Sequence, residues 1–139
     1  MKRLELKRAI ESRLDKDPDV KTHPIGHQAK YANRFLLRSA GGEQIELMIQ
    51  KDESYPANLW VKKDFVEELL DEPSASMPLE YRISSAVNLY MTIGKNGKKQ
   101  YGRHPGLKSM PQLGEADLVC FDLHDMDNLD RILEKLKRA

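Results

Sequence analysis

Between Tyr81 and Gly114 the chain contains no Asp or Glu, a gap of 34 residues in a sequence with 23 Lys and Arg against 22 acids. A second acid-free window runs from Val20 to Gly42. Cysteine is almost absent as well. The single Cys120 excludes an internal disulfide framework and suits a reducing compartment, so the cytoplasm is the expected location. Aromatic residues make up only 6% of the chain, which leaves core formation to Leu, Ile, Val and Met. No apolar run approaches the roughly 20 residues needed to span a bilayer, so no membrane partner is expected. The N-terminal MKRLELKRAIESR spreads charge where a signal peptide needs an apolar stretch.

Several chemistries are missing too. Gly41-Gly42 precedes a predicted strand, and no Gly-Lys-Ser/Thr occurs, which excludes a glycine-rich phosphate loop. Helix-turn-helix, zinc-finger and aromatic RNA-binding signatures are absent, so no base-reading mode is implied. The strand IELMIQK lacks the Glu-x-Lys of a metal-dependent nuclease, because Glu46 stands five residues before Lys51. Cys120 lies inside an apolar strand and reads as a small buried hydrophobe rather than a nucleophile.

What is present is segregated charge. Residues 1–42 carry ten Lys/Arg against five acids, 43–80 three against ten, 81–114 six against none, and 115–139 four against seven. A net charge of +1 therefore conceals blocks of opposite sign, which sequence blocks intermixed on a folded surface could also average out. At 139 residues, 40% hydrophobic and 32% charged, the chain fits one soluble globular domain spanning 1–139.

Periodicity predicts an α+β fold with a mainly antiparallel sheet of five to six strands and N-terminal, middle and C-terminal helices. The first helix covers about 2–15, with Leu6, Ala9, Ile10 and Leu14 at helical spacing and Asp17-Pro18 as its stop. Residues 18–28 read as a loop. A hairpin pairs 30–39 with 43–51 across Gly41-Gly42. In its second strand Ile45, Leu47 and Ile49 alternate with Glu46 and Gln50, a half-buried pattern. In its first strand Lys30, Arg34 and Arg38 share one face, either a cationic stripe or an ordinary solvated face. A short strand near 59–61 leads into a helix over 63–71, with Trp60 as a core anchor, and 72–78 form a loop. Strands are predicted at 79–84, 86–94 and 98–103, the last two joined at Asn96-Gly97. A long irregular connection precedes a buried strand over 116–123. Asp125 or Asp127 caps a closing helix lined by Met126, Leu129, Leu133 and Leu136, with Lys135, Lys137 and Arg138 favourable in its last turn.

The sharpest local feature is KNGKKQYGRHPGLK, residues 95–108. A hairpin bearing Lys95, Lys98 and Lys99, followed by Tyr101, Arg103, His104 and Lys108, suits a polyanion: phosphates attract the cations and bases stack on aromatic rings. With Arg34 and Arg38 from the second window, these residues predict a non-enzymatic domain that contacts the phosphate backbone of DNA or RNA. A solubilising hairpin would look the same. One alternative is an interaction or inhibitor module whose basic face docks an acidic protein partner. Another, ranked behind both, is a metal-independent ribonuclease using His104 as acid/base and neighbouring cations to stabilise a phosphorane. No cofactor is assigned. Metal-type ligands occur in two places, His23 with His27 and Asp122 with His124, and would form a zinc or manganese site only if folding joined them.

Overall fold

The computed structural model describes residues 2–70, 79–84, 90–93, 99–102, 107 and 109–139. Its first helix, α1 (Arg3–Lys16), buries Leu6, Ile10 and Leu14, the i, i+4, i+8 positions of one face. It ends where Asp17, preceding Pro18, turns to extended backbone at φ −77° and ψ 123°. A strand then forms within the predicted 18–28 loop: β1 (Val20–Thr22) pairs antiparallel with β2 (Ala32–Arg38), matching Val20 to Leu37 and Thr22 to Phe35. Three residues are too few for alternation to be visible, and pairing with β2 supplies the order.

Strands β2, β3 (Gln44–Gln50) and β4 (Ala57–Lys62) continue as an antiparallel meander. Gly42, at φ +86°, takes the left-handed conformation that the β2–β3 turn requires. After β4 a 3₁₀ turn (Lys63–Phe65) leads into a single turn of helix, α2 (Glu67–Leu70). The predicted 63–71 helix is split at Val66, whose φ of −127° is not helical. β5 (Glu80–Ser84) forms one edge of the sheet. β6 (Tyr90–Ile93) and β7 (Lys99–Gly102) pair antiparallel in a separate two-stranded sheet, with Ile93 opposite Lys99 and Asn96-Gly97 between them in sequence.

The chain returns to the main sheet as β8 (Leu118–Leu123), which inserts between β4 and β5 to give the order β1-β2-β3-β4-β8-β5, antiparallel throughout. A strand flanked on both sides explains the near-continuous apolar run LVCFDL. The last helix, α3 (Met126–Lys137), opens on Asp125, whose carboxylate accepts from the Asn128 backbone N–H. The fold is thus α+β, with three helices among the described residues. None of its helices there is long and apolar enough to cross a membrane.

Both faces of the sheet are covered. On one, Phe35, Leu37, Ile45, Leu47, Leu59, Val61, Val119 and Phe121 pack with α1 and α3. On the other, Ala32, Met48, Trp60, Leu118 and Cys120 pack beneath Leu107, Met110 and Leu113. This second cover corrects the half-buried reading of β3: Glu46 and Gln50 are 4% and 3% exposed. It also dissolves the cationic stripe on β2. Arg34 is buried, Lys30 lies before the strand, and only Arg38 of the three is both in β2 and exposed.

Candidate functional site

Cross-strand partners in a sheet project to the same face. The registers Asn58↔Asp122 and Asp122↔Glu80 therefore line up three polar side chains from β4, β8 and β5. His124, two residues beyond Asp122, has the same parity and follows the end of β8 directly. Its backbone N–H donates to the Asn128 side chain, so the start of α3 fixes where the imidazole emerges. One ligand atom from each of Glu80, Asp122 and His124 lies within 4.8 Å of the other two. His124 Nε2 stands 2.9 Å from Glu80 Oε2, and that hydrogen bond raises the imidazole pKa above its usual value.

Deeper in the same row the orientations are determined chemically. The indole N–H of Trp60 can only donate, and it donates to Gln50 Oε1 at 3.2 Å. That oxygen also accepts from Asn58 Nδ2 at 2.7 Å. Its amide nitrogen is thus bonded to Gln50 of β3, while on the other side Asp122 of β8 is the register partner of Asn58. Asn58 is 2% exposed and this oxygen has no hydrogen-bond partner. A buried carbonyl left without a donor costs roughly 1–3 kcal/mol. One row along, the Arg82 guanidinium lies 5.4 Å from the centre of the Trp60 ring.

The predicted contact residues that are described take different roles. Arg34 serves as an internal tie: Nε donates to Gly26 O at 2.6 Å, Nη1 to Ser109 Oγ at 3.0 Å and Nη2 to Ile25 O at 3.4 Å. Arg38 is exposed beside an open groove of about 370 Å³ that Lys21, Asp19 and Gln44 also line. Lys99 and Tyr101 lie on β7. Lys95, Lys98, Arg103, His104 and Lys108 lie outside the described residues.

The two metal-type pairs of the sequence do not join. His23 directly follows β1, four strand steps from β8 and so roughly 19 Å away. It is buried, with Nε2 2.6 Å from Glu46 Oε2. His27 Nδ1 accepts from the Arg34 backbone N–H, and its ring meets Phe35 edge-on at 4.9 Å. The partner that folding does bring to Asp122 and His124 is Glu80, which sequence reasoning missed. No local signal could reveal it, because 42 positions separate Glu80 from Asp122 and only the insertion of β8 beside β5 makes them neighbours. In comparison with known proteins, no family model, no curated protein and no solved structure matches this chain.

Proposed function

We propose that this chain is a small nucleic-acid-binding domain that contacts phosphate backbones through the cationic segment around β6 and β7. The observation that carries this is the pairing of β6 with β7 as a sheet of their own, in the middle of the 34 residues without an acid. A two-stranded ribbon is an element the major groove of DNA admits, and lysines around it neutralise phosphates at any sequence. Lys98, Lys99 and Arg103 supply the charge, with Lys95, Lys108, His104 and Tyr101 assisting. Arg38, exposed beside Lys21, offers a second phosphate contact. Arg34 supports the domain from inside, since its donors are committed to protein acceptors.

Fluorescence anisotropy with labelled single-stranded and duplex DNA and RNA, across a salt series, tests the proposal. The affinity should fall linearly in log salt. The triple variant Lys98→Ala, Lys99→Ala, Arg103→Ala should weaken binding and flatten the duplex slope by about 2–3. Unchanged affinity in that variant defeats the assignment.

A second reading, a module that docks an acidic protein, draws on the edge strand β5, where Tyr81 and Ile83 remain 42% and 53% exposed on either side of Arg82. Exposed apolar side chains on an edge strand suit a protein surface better than a phosphate backbone. Absence of nucleic-acid binding at low salt, with an acidic protein partner captured through β5, would favour it.

A further inference from the structure

We propose that Glu80, Asp122, His124 and the side-chain carbonyl of Asn58 form a binding site for one divalent first-row metal ion, of the Mn²⁺ or Zn²⁺ type. Two independent observations meet at this point. The first is the cluster itself: three ligand atoms, from three different side chains, within 4.8 Å of one another. An ion bonded at about 2.0–2.2 Å holds neighbouring ligands roughly 3–4 Å apart, so small side-chain rotations suffice to close the site.

The second is Asn58 Oδ1, which belongs to no carboxylate cluster and has its own reason to want a cation. Asn58 is 98% buried by its 2% exposure, and the oxygen finds no donor. The Trp60–Gln50–Asn58 chain of hydrogen bonds leaves the amide no freedom to flip, because reversing it would set Asn58 Oδ1 against Gln50 Oε1. The carbonyl is therefore held away from Gln50 Oε1, on the sheet face that Asn58 shares with its register partner Asp122. A buried carbonyl without a donor, next in register to a carboxylate, is an arrangement that a cation completes.

The donor set selects the class of ion. Two carboxylates and an amide oxygen are hard ligands that suit Mn²⁺, while an imidazole nitrogen favours Zn²⁺ and its transition-metal neighbours over Mg²⁺ and Ca²⁺. Glu80 and His124 are exposed, so an ion enters from solvent. Behind the ligands, Gln50 and Trp60 hold Asn58, and Asn128 holds the His124 backbone, which supplies the outer support that metal sites require.

Isothermal titration of the chelator-treated full chain with MnCl₂ and ZnCl₂, alongside MgCl₂ and CaCl₂, is the test. One equivalent of Mn²⁺ or Zn²⁺ should bind, with affinity lowered at least about tenfold in His124→Ala and in Asp122→Asn. Glu134→Gln, an exposed acid elsewhere on α3, should bind as wild type does. His124 is an exposed side chain, so its alanine variant keeps the fold, and circular dichroism checks this. Amide spectra with substoichiometric Mn²⁺ should broaden first at residues 58, 80, 122 and 124. No saturable binding, binding indifferent to both variants, broadening centred on other acids, or equal affinity for Mg²⁺ or Ca²⁺ would each overturn the proposal.

Discussion

At the scale of single residues, one donor-only group organises much of the polar interior. Trp60 gives its indole proton to Gln50, Gln50 thereby fixes Asn58, and Asn58 is the register partner of Asp122. Neighbouring Cys120, the register partner of Trp60, is governed by the same enclosure. Burial pushes its thiol up to about 12, nearby Asp122 adds to the effect, and Arg82 only partly offsets it. The thiolate is the reactive form, so a buried thiol with so high a pKa is inert at neutral pH. Native protein should therefore react with a thiol reagent at about pH 8 orders of magnitude more slowly than the same protein in denaturant. Rapid stoichiometric labelling of the native chain would contradict this burial.

At the scale of elements, polar contacts help to place the segment 109–116, part of the second cover of the sheet. Its apolar side chains Met110 and Leu113 pack on Trp60 and Met48, but the link is drawn tight by Glu46. One carboxylate oxygen accepts from the backbone N–H groups of Gln112 and Leu113 at 2.6 and 2.9 Å, and the other meets His23 at 2.6 Å. The Gln112 side chain answers by accepting from the Glu46 N–H at 3.0 Å. Because Ile25 N–H donates to His23 Nδ1, the ring proton sits on Nε2 and points at the carboxylate. Glu46→Ala removes three acceptor contacts at once and leaves buried donors unsatisfied. It should lower stability by roughly 2–4 kcal/mol. Urea unfolding measures the loss, and faster hydrogen exchange at the Gln112 and Leu113 amides should accompany it. A change below about 0.5 kcal/mol would show that apolar packing alone retains the segment.

At the scale of the whole molecule, the ends of the two long helices and the first hairpin meet at one charged junction. Asp17, with no side-chain exposure, receives Arg13 from α1 at 2.8 Å and Lys137 from α3 at 2.6 Å, and the Asp19 N–H donates to it at 2.9 Å. Close by, Ala40 N–H and Gly41 N–H donate to the carbonyls of Lys137 and Ala139, so the β2–β3 turn is fastened to the end of α3. A Cβ on Gly41 would stand 2.6 Å from the Ala139 oxygen, which explains glycine there. Burial opposes the charge on Asp17, but the hydrogen bonds from Lys137, Arg13 and Asp19 outweigh it and hold the carboxyl below its ordinary 3.8. A depressed folded pKa contributes stability at pH values above the unfolded pKa, and that contribution is lost as pH falls through the folded value. Asp17→Asn should cost roughly 1–3 kcal/mol at about pH 7. The gap to wild type should narrow toward about pH 3, as read by urea unfolding at each pH. A gap independent of pH would remove Asp17 from the acid response.

The sequence by itself determined most of the elements and their order, though not β1 or the split of the middle helix. Helical spacing of Leu6, Ile10 and Leu14, alternation in β3, the glycine turn at Gly42 and the Asp125 cap are local signals, each set by interactions a few residues long. The buried character of β8 was equally legible, because a strand flanked on both sides needs apolar residues on both faces. What only the tertiary structure decided is which polar residues are left to act. Arg34 and Glu46 read in sequence as ordinary strand side chains, yet the cover over the second face turns one into an internal tie and the other into a buried anchor. Glu80 joins Asp122 and His124 solely because β8 passes between β4 and β5. Burial and partnership are properties of contacts distant along the chain, and local patterning contains no record of them.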